Sequence, residues 1–356
     1  MSTTNKKTNV ETNPGVLRQA MLSRLRRRTR LSGEILFPCA PSLLDHYTTQ
    51  LHTIFAAAGR LFTRDELENL REILARQLAE GFAGSPFARL RVRYETDAPP
   101  SLAIRYQVFT ENSTIAEQYQ TWVETRTPPL FGSHPDAKVM TLLASHSDDP
   151  AAHPVLDVGA GTGRNTIPIA RAGFPTDAVE LAPALAAELR KALDAASVAA
   201  TVHESNFFDP KLDLPAAHYA LIVLAEVVST HFRHTAELAA LFARASSLLR
   251  PGGHLLFSAF LPRKGFKPDT TVRELAQVFW CPVFTRAEVE DAARGLPFER
   301  VSDESVYEFE KAHLAPEAWP PVRWFEEWTS GQDLFDLPAD KSPIEMRWLV
   351  YRKCAS

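Results

Sequence analysis

The stretch Val155-Leu-Asp-Val-Gly159-Ala-Gly161-Thr-Gly163-Arg-Asn165 decides the fold prediction. A short hydrophobic strand runs directly into three alternating glycines. Glycine tolerates positive φ and lets a ligand approach the backbone closely. Asn165 is a suitable N-cap for a following helix, and Pro168 then falls in the first turn, where its missing N–H costs little. The stretch therefore predicts a strand, a ligand-binding loop and a helix.

The spacing of the glycines indicates which ligand the loop binds. A dinucleotide fingerprint, Gly-x-Gly-x-x-Gly, needs a glycine at position 164, where this chain has Arg164. The third glycine comes one residue early, and Asp157 lies two residues before the first. A carboxylate beside the loop repels a pyrophosphate but attracts a cationic centre. The spacing therefore favours a ligand with an ammonium or sulfonium group over NAD.

Strand and helix patterns alternate on both sides of this stretch, between residues 134 and 261. The predicted strands are residues 155–158, 176–180, 200–203, 220–225 and 253–260. The predicted helices are residues 136–145, 165–172, 183–196 and 235–249. Such alternation is typical of a parallel sheet covered by helices on both faces.

Two further strands, residues 298–309 and 344–353, are predicted to complete the sheet. Residues 310–343 between them are rich in Trp and Pro. A structureless insert of this length is usually a lid or a binding loop rather than a plain connection. We therefore expect the insert to pack on the N-terminal region and to close a substrate chamber.

Residues 31–133 predict a separate α+β cap region. Apolar residues at helical spacing indicate helices over residues 41–58 and 63–82, and a third over 114–126. Two alternating runs around Asp97-Ala-Pro-Pro-Ser101 predict a hairpin. The predicted organisation is thus a tail over residues 1–30, the cap region, and a catalytic domain over residues 134–356.

Charge is distributed unevenly along the chain of 356 residues, whose formal net charge is −4. The first 30 residues hold eight basic residues and one acidic residue, a net charge of +7, so the remainder carries −11. We interpret residues 1–30 as a disordered, solvated tail, because they contain too few apolar residues to build a core. The acidic body argues against a nucleic-acid partner.

Further composition signals concern compartment and membrane. The three cysteines, Cys39, Cys281 and Cys354, are widely spaced and form neither a disulfide framework nor a metal-binding pair. A reducing compartment, the cytoplasm, is the simpler interpretation. No stretch reaches the roughly 20 apolar residues that span a membrane, and no metal cluster is evident.

Polar residues follow the next two predicted strands. Glu180 ends the second strand, 17 residues after Gly163, where an acid can accept hydrogen bonds from both hydroxyls of a ribose. After the third strand, Asn206 offers an amide to an adenine edge and Phe207 offers an apolar face. Leu249-Arg-Pro-Gly-Gly-His254 then forms a turn that leads into the fifth strand.

Taken together, Asp157-Val-Gly-Ala-Gly-Thr-Gly163, Glu180, Asn206-Phe207 and Leu248-Leu-Arg-Pro-Gly-Gly253 resemble the class I S-adenosylmethionine-dependent methyltransferases. The resemblance covers residues 134–261, and the final strand pair extends it to the C-terminus. It implies an α/β fold with a Rossmann-like seven-stranded sheet, helices on both faces and only the last strand antiparallel. Asn206 departs from the family, which more often has Asp there, and this weakens the assignment of that side chain.

The resemblance also implies S-adenosylmethionine as the cofactor. The glycine loop would hold its methionine part, Glu180 its ribose, and the residues at 206 and 207 its adenine. The implied donor-binding residues are Asp157, Gly159, Ala160, Gly161, Gly163, Asn165, Glu180, Leu181, Asn206, Phe207 and Glu226.

Candidate catalytic residues follow the fourth strand, because ligands in such sheets bind beyond the carboxyl ends of the strands. His231 is the first candidate base, since an unperturbed imidazole titrates near pH ~6.5. His234 is a second candidate, although it could simply open the next helix. Glu226 could contact the donor or orient a cationic substrate amine, and its alternative is an exposed loop acid.

Aromatic residues are the candidates for binding the substrate. Tyr119 and Trp122 stand at i and i+3 on the predicted helix before the sheet, so one helix face presents both. Trp324 belongs to the aromatic insert, which could exclude water from a flat or cationic substrate. Packing in a hydrophobic core is the alternative for each of them.

The sequence thus predicts an S-adenosylmethionine-dependent methyltransferase that acts on a small molecule, by O- or N-methylation and with a role in specialised metabolism. Methyl transfer is an in-line displacement, in which holding the reactants in line accounts for much of the rate. A protein or peptide methyltransferase and a non-catalytic donor-binding scaffold are the alternatives. A homodimer is left open by the sequence.

Overall fold

The chain forms two compact units, Met1–Asn112 and Ser113–Ser356. The computed structural model describes residues 10–97 and 103–355. The boundary lies before the helix that the sequence analysis placed at the end of the cap region. That helix, α4 (Ile115–Thr125), belongs to the second unit. Its Tyr119 and Val123 pack there against a small cluster that includes Leu185.

The first unit combines helices with a small antiparallel sheet. Its strands pair in the order β1-β2-β3, and β2 and β3 form the predicted hairpin. Residues 98–102, within the predicted loop of that hairpin, lie outside the described residues. Buried leucines of α2 and α3 cover the sheet. The elements are α1 (Pro14–Arg28), β1 (Ser32–Pro38), α2 (Leu44–Ala57), α3 (Arg64–Gly84), β2 (Arg89–Thr96) and β3 (Ile104–Glu111).

The prediction of a disordered tail needs correction, because α1 occupies half of it. Asn13 caps this helix, since its side chain accepts a hydrogen bond of 2.8 Å from the N–H of Gly15. The described side chains of α1 are exposed, as the low apolar content of the segment implies. Residues 1–9 of the predicted tail lie outside the described residues.

The second unit is built on a seven-stranded sheet with the order β6-β5-β4-β7-β8-β10-β9. Strands β4 to β8 are parallel, and β10 runs antiparallel to both of its neighbours, β8 and β9. The predicted sheet with an antiparallel last strand is therefore confirmed. Its strands are β4 (Val155–Val158), β5 (Thr176–Glu180), β6 (Thr201–Glu204), β7 (Tyr219–Leu224), β8 (Leu249–Pro262), β9 (Phe298–Ser305) and β10 (Ile344–Lys353).

Hydrophobic cores cover both faces of this sheet, because alternate residues of β7 point to opposite sides. Ile222 and Leu224 join one core, and Leu221 and Val223 join the other. The helices of the second unit, besides α4, are α5 (Ala137–Ala144), α6 (Thr166–Arg171), α7 (Pro183–Ala196), α8 (Val228–His231), α9 (Thr235–Leu248), α10 (Thr270–Val278), α11 (Arg286–Ala293), α12 (Val306–His313), α13 (Phe325–Thr329) and α14 (Gln332–Phe335). None of the helices in the described ranges is long and apolar enough to cross a membrane.

The segment between β9 and β10 differs from its prediction. The predicted strand over residues 298–309 ends at Ser305, which caps α12 by accepting a hydrogen bond from the N–H of Glu308. The predicted structureless insert, residues 310–343, contains the end of α12 together with α13 and α14. Phe325 and Trp328 of α13 are buried in the core of the second unit's own sheet. Tertiary packing therefore orders a segment that the sequence analysis expected to be a lid.

Candidate functional site

A cavity of about 220 Å³ opens at the carboxyl edge of the large sheet. The residues that follow β4, β5, β6 and β7 all line it, and α4 and α8 contribute side chains as well. Parallel strands direct their carboxyl ends to one edge, so four separate loops of the chain converge there. This is the place where the sequence analysis expected the donor and the catalytic residues to lie.

The glycine loop forms one wall of the cavity. Gly159, Gly161 and Gly163 have φ values of 72°, 56° and 95°, which L side chains rarely adopt. A Cβ atom at Gly163 would lie 2.7 Å from Cδ1 of Leu189 on α7. This glycine therefore permits close packing of the loop on the helix behind it, while Gly159 and Gly161 line the cavity.

Asp157 lies at the base of the loop and is almost fully buried. Oδ2 of Asp157 accepts a hydrogen bond of 2.6 Å from the hydroxyl of Thr166 at the start of α6. Burial raises the pKa of Asp157 to about 6, and the hydrogen bond from Thr166 opposes that rise. A cationic ligand would favour the ionised form, so the carboxylate suits a sulfonium or an ammonium group.

Glu180 lies at the end of β5 and lines the same cavity. Its two carboxylate oxygens accept hydrogen bonds of 2.8 Å from the backbone N–H groups of Gly161 and Ala182. Burial raises the pKa of this carboxyl, and the two backbone hydrogen bonds oppose the shift. The glycine loop and the predicted ribose-binding acid are thus joined directly.

The residues predicted to hold the adenine also line the cavity. Asn206 accepts a hydrogen bond of 2.9 Å at Oδ1 from the N–H of Phe208, so its side chain is fixed in orientation. The Phe207 ring is buried, with the guanidinium of Arg244 lying 5.2 Å from its centre. Leu181 and Ala160 also line the cavity, where Leu181 is exposed and Ala160 is buried.

Glu226 follows β7 with a φ of 62°, in the left-handed region. Its Oε1 accepts a hydrogen bond of 2.8 Å from Nη2 of Arg164, and Arg164 also binds Asp136 at 2.5 Å. Burial raises the pKa of Glu226, and the Arg164 guanidinium opposes this rise. A carboxylate with a raised pKa at the cavity can accept a proton near neutral pH.

His231 and Tyr119 meet in the lining of the same cavity. The Tyr119 hydroxyl lies 2.9 Å from Nε2 of His231. Burial lowers the pKa of His231 to about 4 and raises that of Tyr119, so both are uncharged at neutral pH. The sequence hypothesis assigned His231 its ordinary pKa near 6.5, and burial makes the imidazole a weaker base than that.

Three of the predicted substrate-binding or catalytic residues do not line this cavity in the described part of the chain. Trp122 stacks on Trp280 with ring centres 5.2 Å apart, beside Tyr119. Trp324 packs against the core on one face of the sheet and contacts Trp328. His234 is exposed and directly precedes α9, and its backbone N–H donates a hydrogen bond to Glu237. This position agrees with the alternative interpretation, in which His234 only begins the helix.

Several residues at the site carry no signal of their role in the local sequence. Arg164 served only to exclude a dinucleotide, because no local pattern pairs it with Asp136 and Glu226, which lie 28 and 62 residues away in the chain. Phe131 lines the cavity from the segment before α5, and its ring lies 6.0 Å from that of Tyr119. Trp280 follows α10 and contacts both Tyr119 and His231. Nothing in the sequence brings these distant aromatic residues together.

The residues present fit S-adenosylmethionine. Four acids line the cavity with Arg164 as a basic counterpart, so the lining suits a cationic ligand; the acids are Asp157, Glu180, Glu226 and Glu237. The glycine loop, with its positive φ values, leaves room for close approach at Gly161. Within the described ranges, no group of three metal-ligating side chains occurs. The donor, when bound, supplies an electrophilic methyl group on a sulfonium centre.

Comparison with known proteins agrees with this geometry. Residues 131–302 match a family model described as a methyltransferase domain. This match includes the glycine loop, Glu180, Asn206 and the segment from Glu226 to His234. A search of the curated proteins found no match to the sequence.

Solved structures with a similar fold include several methyltransferases. A candidate sarcosine dimethylglycine methyltransferase from Galdieria sulphuraria is 15% identical, with 68% of this chain and 99% of that chain covered at a TM-score of 0.49. The geranyl diphosphate C-methyltransferase of Streptomyces coelicolor A3(2), with Mg²⁺, geranyl diphosphate and S-adenosyl-L-homocysteine, is also 15% identical, with 68% and 100% covered at a TM-score of 0.45. At these identities the likeness concerns the fold alone.

The resemblance to the class I S-adenosylmethionine-dependent methyltransferases is confirmed by the domain match together with the sheet order and the glycine loop. S-adenosylmethionine is the methyl donor of such domains, and the acidic cavity beside the loop fits it. The chain therefore carries an S-adenosylmethionine-dependent methyltransferase domain, matched over residues 131–302, on a sheet of the class I order.

Proposed function

We propose that this enzyme methylates a small molecule at an oxygen or nitrogen atom. One observation carries the proposal: the Tyr119–His231 pair lines the same cavity as the glycine loop and Glu226. The polar groups available to an acceptor therefore lie inside a cavity of about 220 Å³, which a small molecule can enter. A role in specialised metabolism stays part of the proposal.

Two groups at the cavity are candidates for handling the acceptor's proton. Glu226 is the stronger base near neutral pH, because burial raises its pKa while it lowers that of His231. His231 keeps a buried Nδ1 without a hydrogen-bond partner among the described residues, and an acceptor group could provide one. We therefore propose that Glu226 takes the proton while Tyr119 and His231 orient the acceptor.

We also propose that the enzyme works in the cytoplasm. Cys39, Cys281 and Cys354 are free cysteines in the described residues, in keeping with the proposed cytoplasmic location. A protein or peptide acceptor remains the alternative, and it would have to insert a side chain into the cavity. A homodimer also stays a prediction.

Methyl-labelled S-adenosylmethionine tests the proposal. The enzyme is incubated with a metabolite extract filtered to remove macromolecules and, separately, with the protein fraction of the same extract. We expect labelled product only in the small-molecule fraction. Label that accumulates only in protein would replace the proposal with the peptide alternative, and absence of transfer with intact donor binding would favour the scaffold.

Two glycine variants control this experiment. Gly161→Val places a branched side chain at a cavity-lining position with a φ of 56°, so we expect donor binding and transfer to be lost. Gly265→Val introduces the same strain at a φ of 92°, but a Cβ there meets no atom within 4 Å. Gly265→Val should therefore retain methyl transfer. The comparison separates the effect of blocking the cavity at Gly161 from the effect of backbone strain.

A further inference from the structure

Arg164 joins two acids at the cavity wall. Its Nη1 lies 2.5 Å from Oδ1 of Asp136, and its Nη2 lies 2.8 Å from Oε1 of Glu226. The Arg164 side chain is 8% exposed and that of Asp136 is 2% exposed, whereas that of Glu226 is 19% exposed. The ion pair on the Asp136 side is therefore almost free of solvent. Arg164 and Glu226 both line the cavity, and Glu226 is the more exposed of the two.

Asp136 is fixed independently of Arg164. Its N–H donates to Oδ1 of Asn165 at 2.9 Å, and its Oδ2 accepts from Nδ2 of the same amide at 2.8 Å. Asn165 follows Arg164 directly in the chain. Two consecutive residues therefore hold Asp136, one through its guanidinium and the other through its amide. A buried arginine held in this way has little freedom to follow a mobile partner, and it instead dictates where the partner lies.

Glu226 is held in a conformation that an ordinary residue avoids. Glu226 has a φ of 62°, and a non-glycine residue in this left-handed region lowers the stability of the fold. A glycine at position 226 would not have this cost. The backbone is fixed there because the N–H of Glu226 donates to the hydroxyl of Ser258 at 3.0 Å. Strain of this kind at a cavity indicates that the side chain serves a function that glycine cannot supply.

The surroundings of Glu226 are mainly acidic. Arg164 and Asp136 act directly on the charge of Glu226. The other titratable side chains that line the same cavity include Tyr119, Asp157, Glu180 and His231. Glu237 also lines the cavity, but its carboxylate is bound by the N–H groups of Arg233 and His234. Since His231 is neutral, Arg164 is the cation that balances these acids.

We propose that Arg164 is a positioning residue, which together with Asp136 holds Glu226 as an anion at the cavity and thereby makes the site selective for a cationic centre of the methyl donor. The inference rests on the proposed function only in placing Glu226 beside the reacting group. Without the guanidinium, the buried Glu226 carboxyl would favour its neutral form, because desolvation penalises the charge. Binding of a cation would then have to expel a proton.

Calorimetry in buffers of different ionisation enthalpy tests the proposal, because it counts the protons released on binding. Wild type, Arg164→Met, Arg164→Lys and Glu226→Gln are compared at neutral pH. We expect Arg164→Met to bind S-adenosylmethionine at least about tenfold more weakly and to release more protons than wild type. Arg164→Lys should bind S-adenosylmethionine more tightly than Arg164→Met, although more weakly than wild type. In the double variant, Arg164→Met should weaken binding little beyond the effect of Glu226→Gln alone.

Three ligands distinguish which cationic centre Glu226 serves. S-adenosylmethionine carries a sulfonium and an ammonium group, S-adenosylhomocysteine only the ammonium, and 5′-methylthioadenosine neither. If Arg164→Met changes proton release only with S-adenosylmethionine, Glu226 contacts the sulfonium group. If it changes proton release with both S-adenosylmethionine and S-adenosylhomocysteine, Glu226 contacts the ammonium group. Both outcomes support the proposal.

An equal loss of affinity for all three ligands, or unchanged proton release, would overturn the proposal and leave Arg164 a purely structural residue. Melting temperatures report whether each variant folds, and Arg164→Lys with Glu226→Gln keep the test decisive if Arg164→Met does not. Either negative result would leave methyl transfer to small molecules untouched. Conversely, the calorimetric test of Arg164 needs no acceptor, so it would stand even if no small-molecule acceptor were found.

Discussion

The hydroxyl of Tyr119 lies 2.9 Å from Nε2 of His231, although the two residues are 112 positions apart in the chain. One comes from α4, ahead of the sheet, and the other from α8, after its fourth parallel strand. Both side chains line the cavity that also contains the glycine loop. The contact unites a tyrosine predicted to bind substrate with a histidine predicted to act as a base.

Removal of the Tyr119 hydroxyl tests this pair. Tyr119→Phe keeps the ring but leaves Nε2 of His231 without its partner, so we expect the kcat for the identified acceptor to fall about tenfold or more. The Kd for S-adenosylmethionine should remain near that of wild type, since neither group binds the glycine loop. Transfer kinetics and calorimetry measure the two quantities.

Tyr307→Phe is the matched control, because this hydroxyl lies on α12 and contacts Lys311 away from the cavity. It should change neither quantity. Equal kcat values for Tyr119→Phe and wild type would remove the Tyr119–His231 contact from the reaction.

Loss of the Glu180 carboxylate should weaken donor binding. Glu180→Ala removes a buried acceptor of two backbone hydrogen bonds and the predicted ribose contact, so we expect a cost of about 1–3 kcal/mol in the binding free energy. Glu204→Ala provides the control, because Glu204 is the parallel-strand neighbour of Glu180 and is exposed. A donor Kd that is the same in Glu180→Ala and Glu204→Ala would contradict the assignment.

Burial of Glu310 predicts a pH-dependent contribution to stability. Its carboxylate accepts hydrogen bonds from the N–H groups of Ala137 and Lys138 and from the Trp348 indole, and it is fully buried. Burial, the largest cause, raises the pKa of Glu310 above its ordinary value of 4.5. Folding therefore favours the protonated form, and this stabilisation is present at low pH and is lost as the pH rises through the folded-state pKa.

Glu310→Gln removes that titration. The difference in unfolding free energy between wild type and Glu310→Gln should shrink as the pH rises above about 4.5, as denaturant unfolding at several pH values would measure. Glu308→Gln, an exposed change on the same helix, should show no such trend. A difference that stays constant or grows with pH would contradict the raised pKa.

Trp328 decides between a lid and a core for the segment after α12. Its indole donates a hydrogen bond of 2.9 Å to the carbonyl of Trp280, and its ring meets Phe260 edge-on. We expect Trp328→Ala to cost about 3–5 kcal/mol of stability, as a large buried aromatic does. Trp324→Ala, at a partly exposed position, should cost less. A stable Trp328→Ala variant that has lost turnover would restore the lid hypothesis.

The sequence by itself determined the sheet and the glycine loop. Residues 155–158 and the alternating glycines after them encode a strand and a turn through local chemistry, since positive φ values depend on the residues of the loop itself. The prediction that Asn165 caps the following helix is wrong, because its side chain makes no capping hydrogen bond and binds Asp136 instead. The position of Glu180 follows from the regular length of a strand–helix–strand unit. The same local rules predicted the hairpin of the first unit, because alternation with period two needs no tertiary context.

Only the tertiary structure decided which aromatic residues meet at the cavity and the protonation state of its ionisable groups. Tyr119, His231 and Trp280 come from three distant segments, and no local pattern records that their rings meet. Arg164 acquires its role from Asp136 and Glu226, which lie 28 and 62 residues away. The pKa values of His231 and Glu226 move in opposite senses from their ordinary values because burial penalises the charge of each, and burial is a property of the folded chain.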